Sequence, residues 1–514
     1  MKAIKNILSI CSVALLLGSC QADLLETKPY GNVAAGNMWT SENFADKGVT
    51  AIYSTLRKSY VGLGLYQMDC LGVSTDCRDA DYPIMRNTIT TSNGMFSSYW
   101  SEHYSGISRA NDAIVHLPEV DMPENKKARY MAEAKVLRAY FYYKLNIMYK
   151  GVPVYLEPVE ASECTKGQET EAAVWQGIED DLTAAINEPN LPNIYTEGSS
   201  DYGRVTKGLA YALRGKAYLY QKEYAKAAAD FEAVSQCGFG LFEGDYKQLF
   251  KEANEQSKEM IFSVQCIGLD GLGNDISFRY GTRSSFGSCW NTYLVNADFV
   301  ETYENADGSK FNWNDYIPGY NEMEPAARAV FFLRDGLTDA EKEAMKTAGA
   351  DMSKYLPEGN EARIKAAYAN RDPRLTASII TPYSTYDGAN GSNEYTYTLR
   401  WPFRAGDVSE PFDLKTDTNN RFYYLYRKFV AEGASEIPNR SYSPIDVPLI
   451  RYADILLNLA ECYNELNQED KAIACVNQVR ERAGAALLNS NDATTVKGQD
   501  DLRERIRNER RWEF

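Results

Sequence analysis

Two clusters of aromatic and polar side chains lie between the stretches of helical periodicity, where loops are expected. The first cluster, near residue 80, contains Asp76, Arg78, Asp81, Tyr82 and Arg86. The second cluster follows residue 289 and contains Trp290, Asn291, Tyr293, Trp313, Tyr316 and Tyr320. Aromatic rings pack on the C–H faces of sugars, while carboxylates, amides and guanidinium groups bond sugar hydroxyls. Both clusters are therefore candidate ligand-binding sites, with side chains that would suit sugars among other ligands.

Other interpretations remain open for each cluster. The first is also consistent with a solvated acidic loop, or with a cation site built from Asp76, Asp79 and Asp81. The rings of the second could instead pack the loops against the helices, and Trp401 with Phe403 could serve either purpose. Residue types alone do not choose between binding and packing.

The sequence lacks familiar catalytic motifs. It has only two histidines, His103 and His116, and contains no P-loop, no G-x-S-x-G elbow and no H-E-x-x-H motif. Histidine-based catalysis and His-rich metal sites are therefore disfavoured, and we expect neither a metal nor a cofactor. Glycoside hydrolysis needs only two carboxylates, so the 71 acidic residues keep a hydrolase as an alternative.

The N-terminal twenty residues have the pattern of a bacterial lipoprotein signal. Lys2 and Lys5 precede an apolar run over 7–17, and Gly18 and Ser19 then lead into Cys20. The apolar run is too short to span a bilayer as a helix. We therefore predict a signal peptide over 1–19 and lipidation of Cys20, which would anchor the protein to a membrane through its acyl chains.

The charge of the chain argues against nucleic acid as a partner. The formal net charge is −16, and removing residues 1–19 takes away two lysines and leaves −18. Nucleic-acid binding needs a basic surface, which this composition does not favour.

Eight cysteines remain after Cys11 and Cys20 are set aside, and they include no C-x-x-C pair, so most are expected to be buried apolar residues.

The hydrophobic pattern predicts a mainly α fold. Amphipathic helices are expected over 43–60, 99–117, 125–149, 170–187, 206–220 and 224–236. The region after residue 250 is more irregular, with short strands expected over 378–381, 395–399 and 422–429. Pro373 disfavours helical geometry at Asp372, so the helix that starts near Glu361 should end before it.

Two helix pairs share the spacing of a tetratricopeptide hairpin, in which small residues let antiparallel helices approach closely. The first pair has Gly215, Tyr218, Ala227 and Phe231, and the second has Ala460, Tyr463, Ala472 and Val476. More than two hundred residues separate the pairs. They must therefore pack together in space or be capped separately, because about three repeats are usually needed for stability.

Several longer motifs resemble the SusD/RagB family of Bacteroidota lipoproteins. They are Ala132–Tyr140, Gly151–Pro153, Arg371–Leu375 and Pro448–Leu457 with Ala460-Glu461. The resemblance spans the mature chain and implies an α–α superhelix with tetratricopeptide-like hairpins. It divides the chain into a helical half over 20–250 and a half with variable loops over 251–514, forming one compact unit. The loop around 76–87 corresponds to part of the family's ligand site.

The resemblance also implies a function without catalysis. We expect a surface-exposed lipoprotein of the outer membrane that captures an oligosaccharide and delivers it to a SusC-like TonB-dependent transporter. Capture of a peptide, as in RagB-like proteins, is an alternative, and so are a glycoside hydrolase and a pure scaffold for the transporter. Family members usually continue beyond the motif at Glu509–Phe514, so we expect the natural chain to be longer.

Replacing the predicted lipidation residue tests the anchor. Cys20→Ala should move the protein from the membrane fraction to the soluble fraction, because the acyl chains would have no attachment point. Fractionation of cells followed by immunoblotting measures this change, with Cys164→Ala as the control that should leave the protein in the membrane fraction. Retention of the Cys20 variant in the membrane fraction would contradict the prediction.

Overall fold

The computed structural model describes residues 38–78, 83–406, 409–417 and 424–514. Cys20, Asp79, Asp81 and Tyr82 lie outside these ranges, so their predicted roles remain predictions. Within the described residues, the helices are α1 Glu42–Ser54, α2 Gly94–His116, α3 Glu124–Tyr149, α4 Glu171–Ile186, α5 Lys207–Tyr220, α6 Tyr224–Gln236, α7 Ile276–Tyr280, α8 Ala297–Thr302, α9 Pro325–Arg328, α10 Asp339–Thr347, α11 Asn360–Ala369, α12 Pro373–Ser378, α13 Tyr452–Glu465, α14 Glu469–Ala483 and α15 Gln499–Glu513.

The strands are short and form small separate sheets. They are β1 Thr75–Cys77, β2 Met260–Val264, β3 Tyr293–Val295, β4 Ile379–Ile380, β5 Thr385–Asn390, β6 Asn393–Thr398, β7 Phe412–Asp413, β8 Leu425–Tyr426 and β9 Val447–Arg451. The pairs β1–β3, β2–β9 and β4–β8 are antiparallel, while β5, β6 and β7 form one sheet in which β6 and β7 run parallel. The predicted mainly α fold with short strands is confirmed.

The predicted helices are present, with boundaries set by local caps. Thr206 accepts a hydrogen bond from the Leu209 N–H at 3.1 Å, which starts α5. Asn93 caps α2 in the same way through Met95, so that helix begins five residues before the predicted boundary of 99. The first predicted helix ends early, at Ser54, and short 3-10 and π-helical segments follow over 55–71. Gly62, in the π-helical segment, lies against the Leu56 carbonyl, which leaves no room for a side chain.

The two predicted hairpins pack together. Gly215 of α5 lies directly against the Phe231 ring of α6, where a β-carbon would collide with the ring. Helix α13 of the second hairpin packs against α6. Lys216 Nζ pairs with Asp454 Oδ2 at 2.5 Å across this junction. Of the two arrangements expected for distant repeats, the structure therefore has the one in which they join in a single apolar core.

Buried ion pairs connect the second hairpin to the segment before α12. Arg374 is bonded to Asp372 at 2.7 Å and to Glu509 of α15 at 2.5 Å, and all three side chains are fully buried. Arg480 of α14 bonds the other oxygen of Glu509 at 2.8 Å and Glu304 at 2.6 Å. As predicted, Asp372 is not helical, and it caps α12 with Pro373 in the first turn.

A second set of buried ion pairs adjoins the first. Arg451, at the end of β9, bonds Glu259 at 2.6 Å and Glu513 at 2.7 Å. Arg482 bonds the same two carboxylates at 2.6 and 2.5 Å. Glu259 directly precedes β2, so these charges connect the β2–β9 pair to α14 and α15. Each charge has two partners, which offsets the cost of removing it from water.

The β2–β9 junction also carries a close carboxylate pair. Asp446 accepts hydrogen bonds from the Cys266 N–H at 2.7 Å and from Gln265 Nε2 at 2.6 Å, and its own N–H donates to Glu255 at 3.2 Å. Burial and the nearby Glu255 charge raise the pKa of Asp446 to about 8, and burial raises the pKa of Glu255 to about 7. Folding therefore favours the protonated forms near neutral pH.

Removing one member of the buried network should destabilise the protein strongly. Arg374→Met leaves Asp372 and Glu509 buried with fewer partners, so the free energy of unfolding should fall by about 3 to 5 kcal/mol. Urea denaturation measures this difference. Lys365→Met is the control, because the Lys365 side chain is 55% exposed in its pair with Glu361 and should cost less than about 0.5 kcal/mol. A loss below about 1 kcal/mol for Arg374→Met would contradict this interpretation.

The carboxylate pair should make stability depend on pH. Because the folded-state pKa of Asp446 is raised from 3.8 to about 8, its contribution favours the folded state less as pH rises through that range. The free energy of unfolding should therefore fall between pH 5 and pH 8, and Asp446→Asn should reduce this fall by roughly 2 kcal/mol. Urea denaturation at each pH checks the expectation. Glu343→Gln, at a 72% exposed side chain, should leave the slope unchanged, and an equal slope in Asp446→Asn would refute the effect.

Candidate functional site

Strands β1 and β3 bring the two predicted clusters together. Asp76 lies opposite Leu294, and Cys77 lies opposite Tyr293. One residue further, the Arg78 N–H donates to the Thr292 carbonyl at 2.8 Å. The start of the first cluster and residues 290–293 of the second are therefore neighbours, although more than two hundred positions separate them in the sequence.

Charged side chains hold this junction in place. Arg78 donates to the Trp290 carbonyl at 2.7 Å and pairs with Asp417. Asp417 also pairs with Arg283, so one carboxylate joins two loops. Asp76 accepts from Asn296 Nδ2 at 3.2 and 3.3 Å, which indicates a role in positioning β1. Arg86 is exposed.

Residues 290–293 divide between surface and core. Trp290 is 39% exposed, and its ring packs on Phe278 with 4.8 Å between the ring centroids. Asn291 is fully buried, and its side-chain oxygen accepts from the Asp417 N–H at 3.0 Å. Tyr293 is buried and packs edge-on against Tyr66. Trp290 is therefore the ring of this segment that a ligand can reach, while Asn291 positions Asp417.

The rings over 313–320 belong mainly to a core. Trp313 is 2% exposed, its Nε1 donates to Glu301 at 2.8 Å, and its ring lies 5.0 Å from that of Tyr320, which is 5% exposed. Tyr316 is half-buried and stacks on Phe311. In this conformation Trp313 and Tyr320 present no face to a ligand. The alternative interpretation of these rings, packing rather than binding, fits their burial.

An open groove lies next to the junction, between the loop over 283–288 and the β5–β6 hairpin. Its volume is about 670 Å³, within the usual range of about 300 to 1,000 Å³ for ligand sites. We call it the groove, and its partly exposed rings are Tyr395, Tyr397, Phe403 and Phe412. Tyr395 and Tyr397 alternate along β6 and so share one face, with Phe412 at 5.5 and 6.2 Å from them.

Ser284 fixes the loop that forms one wall of the groove. Its carbonyl accepts from the Ala389 N–H at 2.9 Å, and its hydroxyl accepts from the Lys415 N–H at 2.8 Å. Gly388 allows this approach, because a β-carbon there would collide with the Ser284 carbonyl and the Tyr397 ring. The wall is therefore held by backbone contacts to both β5 and the segment after β7.

The carboxylates near the groove are already paired. Asp413 is buried and forms ion pairs with Arg334 and Arg400, each at 2.6 Å. Arg404 pairs with Glu341 at 2.7 Å, and hydrogen bonds from Arg404 lower the pKa of Glu341 to about 2. Within the described residues, no group of three acidic, cysteine or histidine side chains is arranged to hold a metal ion.

Sequence reasoning missed most of this groove. Tyr395 and Tyr397 belong to a segment predicted only as a strand, and Phe412 and Lys415 were not singled out. A usable signal was present, because two tyrosines at alternate positions lie in the strand that follows the Gly391-Ser392 turn, and residues at i and i+2 face the same side of a strand. Nothing local showed that the 283–288 loop would lie opposite them.

Comparisons with known proteins agree with this architecture. A family model described as the SusD family matches residues 258–514, and one described as starch-binding and associating with the outer membrane matches 25–219. Two SusD-like proteins of Formosa agariphila are 25% and 24% identical, over 100% and 99% of this chain and 90% and 87% of theirs.

Solved structures have the same fold. A SusD-like protein from Bacteroides fragilis aligns with a TM-score of 0.72 and 22% identity, over 95% of this chain and 86% of that one. A SusD-like carbohydrate binding protein from the same species has a TM-score of 0.69 and 24% identity, over 93% and 84%. A laminarin binding SusD-like protein has a TM-score of 0.61 and 23% identity, over 92% and 89%.

Proposed function

Because the chain belongs to the SusD family, we propose that it captures an oligosaccharide in the groove and delivers it to a SusC-like TonB-dependent transporter. The observation that carries the proposal is the set of partly exposed rings beside hydrogen-bonding side chains. The family description of starch binding at the outer membrane and the carbohydrate-binding and laminarin-binding structural relatives support it.

The geometry suits a sugar chain. Tyr395 and Tyr397 offer ring faces for the C–H surface of sugar rings, while Asn390 and Arg283 line the same groove with groups that bond hydroxyls. Trp290 follows the 283–288 wall and offers a further ring to a longer chain. The site proposed is therefore the groove extended towards Trp290, with Arg78 and Asn291 positioning Asp417 behind it.

The remaining predicted ligand residues belong to the neighbouring loop. Asp81, Tyr82 and Arg86 follow Arg78 in sequence, and we propose that this loop borders the extended site.

Lipidation of Cys20 would hold the protein at the outer membrane, facing the cell exterior. Within the described residues, no helix is long and apolar enough to cross a membrane.

We propose binding without catalysis. Glycoside hydrolysis needs two carboxylates on either side of the bond, one of them able to give a proton. Among described residues, Asp413 is the acid that lines the groove, and two guanidinium groups already occupy it. A carboxylate held in this way is poorly placed to donate a proton. A peptide remains the alternative ligand, since rings and arginines also suit peptide groups.

Removing the two rings tests the site. Tyr395→Ala with Tyr397→Ala should lower oligosaccharide affinity by about tenfold or more, because aromatic anchors dominate such interfaces. Isothermal titration calorimetry with a panel of neutral and charged oligosaccharides measures this loss. Tyr220→Ala is the matched control, because Tyr220 is 54% exposed on α5, outside the groove, and should leave affinity unchanged.

The same panel separates the candidate functions. Unchanged affinity in the double variant would move the binding site away from the groove. Chromatography of each oligosaccharide after incubation should show no shortened products, and product release would favour the hydrolase. Binding of peptides in place of every oligosaccharide would favour the RagB-like alternative.

A further inference from the structure

We infer that the groove selects anionic oligosaccharides, which carry carboxylate or sulfate groups. This inference depends on the proposed capture of oligosaccharides and adds the chemical class of the ligand. It comes from the charges that line the groove and from how each of them is paired.

Cations outnumber anions on the walls of the groove. Among the described residues, the charged side chains that line it are Arg283, Arg404, Lys415 and Asp413. The Asp413 side chain is fully buried and occupied by Arg334 and Arg400. The single lining carboxylate is therefore not available to a ligand. Three cationic side chains line the open space, and one of them, Arg404, is paired with Glu341.

Lys415 carries a positive charge at the edge of the groove. It is exposed, and its backbone N–H is fixed by the Ser284 hydroxyl at 2.8 Å. In the described part of the chain, no carboxylate forms an ion pair with its ammonium group. An ammonium group without an acidic partner at the edge of a binding groove favours a ligand that supplies the negative charge.

Arg440 adds a further positive charge, behind the 283–288 wall. Its Nη1 donates to the Gly287 and Ser288 carbonyls, both at 2.7 Å, and its guanidinium lies over the Phe278 ring at 4.7 Å from the centroid. These partners are neutral. Arg283, on the same wall, shares Asp417 with Arg78, so it too has less than one full carboxylate to itself.

The acidity of the whole protein does not cancel this local charge. The net charge of −16 is spread over 514 residues, and the screening length in physiological salt is about 8 Å. A ligand in the groove therefore responds mainly to charges within about 8 Å of it. A carboxylate or sulfate there forms charge-assisted hydrogen bonds. A neutral sugar would displace water from the ammonium group without forming a charge-assisted hydrogen bond in its place.

Paired ligands that differ only in charge test the inference. Calorimetry should compare an oligogalacturonide with its carboxyl-reduced form, and a sulfated galactan oligosaccharide with its desulfated form. We expect the charged member of at least one pair to bind about tenfold tighter. That affinity should fall as NaCl rises from about 0.05 to 0.5 M, because salt screens the attraction. The two pairs show whether the groove prefers carboxylate or sulfate.

Lys415 variants locate the effect. Lys415→Gln should weaken binding of the charged ligand about five- to tenfold and affect the neutral ligand less. Lys415→Glu should weaken binding of the charged ligand further. Lys226→Gln removes the same charge from α6, at a side chain that is 58% exposed, and serves as the control.

The outcomes distinguish the inference from the function beneath it. Equal affinity for both members of both pairs, or a Lys415→Gln effect no larger than that of the control, overturns the charge preference and leaves capture intact. Binding of uncharged oligosaccharides alone does the same. Failure to bind any oligosaccharide of the full panel contradicts the proposed function as well.

Discussion

Burial of two glutamates from the last helix is the constraint on which the rest of the structure depends. Glu509 and Glu513 have fully buried side chains and bind arginines from α12, α14 and the end of β9. Burial alone would raise the pKa of Glu513, but the charges of Arg482, Arg451 and Arg374 hold it well below its usual value. A buried charge without its partners is costly, so these distant segments are favoured in only one arrangement.

The groove is connected to this ion-pair network indirectly, through the elements that lie between them. The ion-pair network joins the β2–β9 pair and the second hairpin, and the irregular region is connected to them through α12 and β4. Within that region, smaller pairings repeat the same principle: Asp417 joins the Arg78 and Arg283 loops, and Asp413 joins Arg334 and Arg400. Ion pairs thus hold these loops in place.

Sequence patterns predicted structure most accurately where a residue acts directly on its immediate neighbours through one physical effect. Gly215 opposite Phe231, and Pro373 after a helix end, were predictable because a missing β-carbon and a locked ring act on immediate neighbours. Trp313 and Tyr320 were assigned to a ligand site because their segment looks like a loop, yet both are buried. Loop composition predicts an irregular backbone. It does not predict whether the aromatic side chains of that segment are buried by the rest of the fold.

The amino-acid sequence by itself determined the helical class, the paired hairpins and the family, because these follow from periodicity and short motifs. Tertiary structure decided which rings are exposed and which charges are already paired. Tyr397 and Ser284, more than a hundred residues apart, form opposite walls of the groove. Arg404 forms an ion pair with Glu341, whereas Lys415 forms none with a described carboxylate. Which charges are paired depends on the three-dimensional arrangement, which a local sequence pattern does not show.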